Sequence, residues 1–172
     1  MVVMVNRSGG PAMTSTVIEG REAVHAFVEH EHDELAAGVD RIHAAACDLA
    51  ALPASEIVVR VGDVLRWVDE TLRPHMAWEE TWLFPQIDAR VGTPWATRLV
   101  RFDHRQIGRQ AELASTHRLD VRHGPSARAA GDLRCDLIAL EALVRANLER
   151  EERFLLPILE APNEPWTSEW RD

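Results

Sequence analysis

Four stretches of the sequence carry apolar residues at alternating three- and four-residue steps, the spacing that forms one stripe along an α-helix. The stripes cover residues 18–51, 55–90, 94–119 and about 132–161. No segment shows the period-two alternation that is typical of a strand. Four long amphipathic helices joined by short links predict an all-α protein, folded as an antiparallel up-down-up-down four-helix bundle.

The ends of the chain differ from this pattern. Residues 1–16 contain Gly, Pro and Ser without helical period and predict a flexible N-terminal segment, so the bundle is expected to span residues 17–160. Residues 161–172 hold two prolines and two tryptophans and predict a C-terminal tail. The N-terminal segment lacks the long apolar stretch of a secretory signal, and two cysteines suit a reducing compartment, so a cytoplasmic location is expected.

The charge balance excludes several classes of partner. The chain has 19 Lys and Arg against 28 Asp and Glu, a net charge of −9, whereas nucleic-acid binding and docking on anionic lipid need a basic face. No apolar run approaches the roughly 20 residues that span a bilayer. We therefore expect no nucleic-acid or membrane partner, while the oligomeric state stays open.

Each apolar stripe is interrupted by side chains that bind metals or form hydrogen bonds: His32; His75 with Glu79; His104; and Asn147 with Glu151. At about 1.5 Å per residue, His32 lies about 28 Å before the end of the first helix. His75 lies about 30 Å after the start of the second helix, which brings it to the same level. The other interruptions reach this level by the same arithmetic, so the sequence predicts one polar layer in the core.

A buried layer of this composition calls for a cation. Two carboxylates and three imidazoles buried without partners cost several kcal/mol per charged group, and no basic residue lies on the stripes to neutralise them. His75 and Glu79 are one turn apart on one face and can reach one site. Imidazole and carboxylate without thiolate favour iron or manganese, with zinc as the usual competitor. A metal-free hydrogen-bonded layer that fixes helix register is the alternative.

Several nearby residues are given simpler interpretations. Glu31 belongs to an acidic run that is expected to form an exposed face. Glu80 and Glu152 are each turned by about 100° from the neighbouring glutamate, so we expect them behind the ligands or at the surface. Cys47 and Cys135 are expected to be buried, inert thiols.

The interrupting residues carry a family resemblance. Residues 75–85, HMAWEETWLFP, resemble the His-x3-Glu-Glu…Phe-Pro signature of hemerythrin-like (HHE cation-binding) domains. His32 and His104 resemble the histidines of the first and third helices of that family. Residues 147–157, NLEREERFLLP, resemble a second copy of the signature, with Asn147 in place of its histidine. The resemblance covers about residues 18–160.

The resemblance implies an antiparallel four-helix bundle around a non-haem di-iron site. His32 and His75 would bind one iron, His104 the other, and Glu79 and Glu151 would bridge them. Two iron ions are the leading expectation, with one ion, or zinc or manganese, as alternatives. The amide oxygen of Asn147 is a weaker ligand than imidazole, so the second iron is expected to be under-coordinated.

The function implied by the resemblance is handling of a small oxidant. Family members bind dioxygen, sense oxygen, iron or nitric oxide, or decompose peroxide, and the fold does not choose among these. The leading hypothesis is a cytoplasmic non-haem iron protein that binds or senses dioxygen, peroxide or nitric oxide, with enzyme activity left open. The alternative is a regulatory or interaction bundle with a mononuclear or degraded metal site. A ferritin-like oxidase is disfavoured because such sites use Glu-x-x-His pairs.

Overall fold

Four helices build the domain, as the sequence predicts. The computed structural model describes residues 2–5, 15–18 and 21–160. Helix α1 is Arg21–Asp48, α2 covers residues 54–91, α3 is Arg98–His123 and α4 covers residues 127–160. Within these described ranges no helix is both long and apolar enough to cross a membrane.

Two short strands precede α1. Strand β1, Val2–Val5, pairs with β2, Ser15–Ile18, in an antiparallel register that sets Val2 opposite Ile18. The expectation of no strand is therefore wrong for these eight residues. Both segments are rich in β-branched residues, which favour extended backbone, but four residues are too few to reveal alternation. Residues 6–14 and the predicted tail, 161–172, lie outside the described part of the chain.

The helix ends differ from the predictions by several residues, and two of these differences have a visible cause. Helix α3 begins at Arg98, not Pro94, because residues 93–97 form turns in which Asp88 accepts a hydrogen bond from Oγ1 of Thr97 at 2.9 Å. Helix α4 begins at residue 127, not near 132, because Ser126 Oγ caps it and accepts from the backbone N–H of Ala129. Gly92 ends α2 with a φ of 76°, as its position after the stripe predicts.

Three wide π-type turns occur in α2 and α4, each just before a proline. They cover Val68–Leu72, Glu79–Leu83 and Glu151–Leu155, ahead of Pro74, Pro85 and Pro157. In each turn the residue before the proline donates its N–H five residues back, as Phe84 does to Glu79. Proline lacks an N–H and its ring crowds the carbonyl four residues earlier, so the helix widens there without breaking.

Contacts between neighbouring helices run in inverse order. Along α1 and α4, His32 contacts Glu152, and the backbone oxygen of Ala46 accepts from Arg134. Residue numbers that rise in one helix therefore fall in the other. The same order links α2 with α3 through two contacts, Val58 with Arg118 and Glu80 with His104.

Among the residues that the structure describes, the core consists of two apolar clusters separated by the polar residues. The larger cluster extends along the bundle from Leu35, Met76, Ile107 and Leu148. The smaller cluster contains Val28, Leu83, Phe84, Val100 and Leu155. His32 lies between Val28 and Leu35 in the sequence of α1, and the other three helices show the same arrangement. The predicted polar layer is therefore enclosed by apolar side chains on both sides.

The buried positions recur at an offset of 72 residues, which relates α1 to α3 and α2 to α4. His32 and His104 are 72 positions apart, as are Glu79 and Glu151. Apolar core residues follow the same offset, including Val28 with Val100, Leu35 with Ile107, Leu72 with Val144, Met76 with Leu148 and Phe84 with Leu156. The π turns at Glu79 and Glu151 share it too. We call this the 72-residue repeat.

One glycine is required by close packing between α1 and α2. A Cβ atom at Gly38 would lie 2.0 Å from the ring of Trp67, which is itself buried. Arg41 covers the same indole, with its guanidinium carbon 5.6 Å from the ring centroid. The two helices can therefore approach at this level only because residue 38 has no side chain.

We expect Gly38→Ala to destabilise the protein, since the added methyl forces the indole or the helix to move. Overpacking of this kind costs about 1–3 kcal/mol in the free energy of unfolding. The matched control is Gly131→Ala in α4, where a Cβ meets no atom within 4 Å. That change is expected to stabilise by about 0.5–1 kcal/mol, because alanine favours helix over glycine. Equal unfolding free energies for the two variants, measured in urea, would contradict the packing argument.

Candidate metal centre

The six predicted site residues come together in one buried layer, and all four helices contribute. His32 lies on α1, His75 and Glu79 on α2, His104 on α3, and Asn147 and Glu151 on α4. Glu79 and Glu151 have no exposed surface, and the other four are at most 7% exposed. The prediction that these positions share a level is confirmed by the contacts described next.

One half of the layer is formed by His32, His75 and the two glutamates. Nε2 of His75 lies 3.2 Å from Oε1 of Glu79, and Nε2 of His32 lies 3.8 Å from the same oxygen. His32 also approaches Oε2 of Glu151 at 3.4 Å. Ligand atoms from these four residues all lie within 4.8 Å of one another, a grouping that could hold one metal ion.

The other half is formed by His104 and Asn147 against the same glutamates. Nε2 of His104 lies 3.4 Å from Oε2 of Glu79 and 3.4 Å from Oε1 of Glu151. Nδ2 of Asn147 donates to Oε1 of Glu151 at 2.8 Å. Each glutamate therefore faces histidines of both halves.

The inward-facing atoms of the layer do not satisfy one another by hydrogen bonds, and their arrangement suits a cation. Seven buried side-chain atoms of the layer have no hydrogen-bond partner: Nε2 of His32, His75 and His104, both carboxylate oxygens of Glu79, Oε2 of Glu151 and Oδ1 of Asn147. The three Nε2 atoms lie 3.2–3.8 Å from the carboxylate oxygens of Glu79 and Glu151 but make no hydrogen bond to them. Buried polar atoms in native proteins are nearly always satisfied, and atoms of this kind that converge without a partner could hold a metal ion.

Carboxylates behind the histidines fix the orientation of each ring. Nδ1 of His104 contacts Glu80 at 3.0 Å, and Nδ1 of His32 contacts Glu152 at 3.3 Å. Nδ1 of His75 faces Glu31 at 3.9 Å, an ion-pair distance. Such contacts hold the proton on Nδ1 and leave Nε2 free for a metal.

The positions of two of these three carboxylates agree with the sequence predictions, and the position of the third does not. Glu80 and Glu152 were expected behind the ligands or at the surface, and both lie behind a histidine while remaining partly exposed. The expectation that Glu31 belongs to an exposed acidic face is wrong, because its side chain is only 24% exposed and faces His75. The sequence feature that could have predicted this contact is the position of Glu31 directly before His32, one residue from the polar layer.

The histidines of the layer hold protons strongly when no metal is bound. Burial lowers the pKa of His75, but the charge of Glu79 and the contact with Glu31 raise it to about 10. Burial likewise lowers the pKa of His104, and the contacts with Glu151 and Glu79 raise it to about 10. The pKa of His32 is also raised, because contact with Glu79 and the charge of Glu151 outweigh its burial.

The two glutamates respond differently to the same surroundings. Burial raises the pKa of Glu79, but the charge of His75 and contacts with His104 and His32 hold it well below its ordinary value. Burial and the negative charge of Glu79 raise the pKa of Glu151 to about 7, against the opposing contact with His104. One carboxylate is therefore firmly ionised and the other exchanges its proton near neutrality.

Other predictions about reactive side chains need correction. Cys47 and Cys135 are exposed, not buried. Cys47 contacts Nε2 of His43 at 3.5 Å, and Nδ1 of His43 contacts Glu141 at 2.9 Å. Both cysteines lie off the buried stripes, so their positions do not disturb the core.

The comparison with known families agrees with the geometry. The description "Hemerythrin HHE cation binding domain" matches residues 23–161, which is most of the chain and all of the polar layer. No curated protein and no solved structure matches the chain significantly. The buried His/Glu cluster, which could hold a cation, agrees with that description. The chain therefore belongs to the hemerythrin HHE cation-binding domain family.

Proposed function

We propose that this protein is a non-haem iron protein that binds or senses dioxygen or a related small oxidant such as peroxide or nitric oxide. The observation that carries the proposal is the set of seven unpartnered atoms converging inside the bundle. Their nitrogen and oxygen donors, without thiolate, suit iron, with manganese and zinc as competitors. A cytoplasmic location stays a prediction.

The contacts support an antiparallel up-down-up-down order for the four helices, which lets every helix contribute to one level. In the proposed centre His32, His75, Glu79 and Glu151 hold one iron. His104 and Asn147, with the remaining oxygens of the same glutamates, form the place of a second iron. Since Asn147 offers only an amide oxygen, this second place is the weaker of the two.

The residues of the chain have distinct roles in this centre. When bound, iron supplies a redox couple and an open coordination position for a small oxidant. Glu31, Glu80 and Glu152 keep the three imidazoles in position. The apolar clusters on both sides of the layer exclude water, which strengthens every charge interaction inside.

A second candidate function is a regulatory bundle with a mononuclear or degraded metal site. The hydrogen bond from Asn147 to Glu151 at 2.8 Å favours it, because this contact satisfies part of the layer without any metal. Metal content per chain, together with the response of that metal to a small oxidant, separates the two candidates. Protein that stays free of iron after expression in iron-replete medium, or whose iron does not respond to dioxygen, peroxide or nitric oxide, favours the regulatory bundle. Iron that responds to one of these molecules favours the oxidant-binding protein.

The unliganded and the metal-loaded protein should respond to pH in opposite ways. His75 and His104 have an ordinary pKa of 6.5 and a folded pKa of about 10. Their contribution to the stability of the unliganded protein is therefore complete below pH 6.5 and is lost as pH rises to 10. Metal displaces these protons, so its binding strengthens over the same range.

The measurement is thermal unfolding between pH 6 and 10, once with a chelator and once with iron(II) under anaerobic conditions. As pH rises, the melting temperature of the protein kept metal-free by the chelator should fall. The increase in melting temperature that iron(II) produces should become larger. A constant increment across this range would contradict metal binding at the histidines.

Removing a ligand should remove the metal and its stabilisation. We expect Glu79→Gln and His75→Ala to lose most bound iron. Metal at 100 times its dissociation constant stabilises the native state by about 2.7 kcal/mol, and this increment should vanish. His43→Ala is the matched control, because its side chain is 60% exposed and lies outside the layer. Full iron stoichiometry in both ligand variants would overturn the assignment.

Binding of a small oxidant should be visible in the optical spectrum of the iron-loaded protein. We expect new absorption after exposure of the reduced protein to dioxygen, peroxide or nitric oxide, and no such change in the Glu79→Gln protein. The comparison among the three molecules identifies which one is bound. Spectra that are indifferent to all three would contradict the oxidant-binding proposal and leave the regulatory bundle.

A further inference from the structure

The two halves of the centre match each other closely around His32 and His104. Under the 72-residue repeat, the contact of His32 with Glu152 corresponds to the contact of His104 with Glu80. The two distances from Nδ1 are 3.3 Å and 3.0 Å. The distance from His32 to Glu151 and that from His104 to Glu79 are both 3.4 Å.

The match fails at one pair of positions. In the first half, Nδ1 of His75 faces the carboxylate of Glu31. The repeat places Asn147 opposite Asp103 in the second half. Asp103 is buried, but its carboxylate pairs with a guanidinium N–H of Arg150. By the repeat, the carboxylate of Asp103 corresponds to the one that faces the histidine ring in the first half. In the second half it pairs with Arg150 instead.

Arg150 is itself a departure from the repeat. The corresponding residue of the first half is Trp78, whose ring lies 6.2 Å from that of His75. A guanidinium carries a positive charge, which opposes the binding of a nearby cation. Asn147 meanwhile donates to Oε1 of Glu151, an oxygen that also faces His104.

We propose that Arg150 is a specificity-determining residue that, by holding Asp103, makes the centre asymmetric: one iron binds tightly in the His75 half, and the His104 half binds a second iron poorly. The proposal rests on the proposed iron-binding function. Asn147 and Arg150 act together. Asn147 stands where the repeat would place an imidazole, and Arg150 pairs with the carboxylate of Asp103 that would orient that imidazole.

Two substitutions are needed to restore the second half. Asn147→His supplies an imidazole, but Asp103 stays paired with Arg150. Arg150→Met frees Asp103 with a side chain of similar length that cannot donate. The double variant should bind a second iron about 10–100-fold more tightly than Asn147→His alone, the usual gain from a carboxylate behind a metal-binding histidine.

The first test is anaerobic titration of iron(II) against a competing chelator, using the native protein, both single variants and the double variant. The native protein should bind one iron tightly and a second at least about tenfold more weakly. Two equally tight irons in the native protein, or equal second-iron affinities in Asn147→His and the double variant, would overturn the proposal. Arg145→Met is the control, since Arg145 pairs with Asp40 and Glu141 on the surface.

The second test needs no metal. With a chelator present, Arg150→Met should lower the melting temperature, because it leaves the buried Asp103 without a partner. The same change in the Asn147→His background should lower it much less, because the new imidazole pairs with Asp103. Additive effects would overturn the re-pairing of Asp103. Absence of iron from all four proteins would instead overturn the proposed function, so the two failures are distinguishable.

Discussion

The confinement of two glutamate carboxylates within a ring of imidazoles governs this molecule. Glu79 and Glu151 have no exposed surface and lie 3.2–3.8 Å from the nitrogens of three histidines. An uncompensated charge here would cost several kcal/mol, and the layer lies between two apolar clusters that offer no water. In the metal-free protein, protons on the histidines neutralise the charge of the carboxylates. In a metal-bound protein, the cation would neutralise it.

The backbone places these carboxylates by means of proline. Pro85 and Pro157 remove a helical hydrogen bond and widen the turns that begin at Glu79 and Glu151. Both glutamates therefore occupy the first position of a π turn, where one apolar cluster gives way to the other. The 72-residue repeat reproduces this arrangement in both halves and makes the departure at Asn147, Asp103 and Arg150 visible.

Features that depend on the spacing of residues within one helix can be predicted from the sequence. Contacts between side chains of different helices cannot be predicted in this way. Regular three- and four-residue steps reveal four helices, and the interruptions at His32, His75, His104 and Glu151 reveal the polar layer, because both depend only on helical periodicity. The roles of Glu31 and Arg150 depend on which side chain a neighbouring helix presents, which one helix's pattern does not contain. The start of α4 was missed because the cap at Ser126 precedes the apolar stripe. Strands β1 and β2 are not predicted because four residues are too few to show a period.

We propose that the unpartnered atoms of the layer hold a metal ion. Anomalous diffraction at the iron absorption edge, from a crystal of iron-loaded protein, tests it most directly. We expect the strongest anomalous peak to lie inside the bundle, between Nε2 of His32 and His75 and the carboxylates of Glu79 and Glu151. A bundle interior without anomalous density, or iron confined to surface groups such as Cys47 and His43, would contradict it.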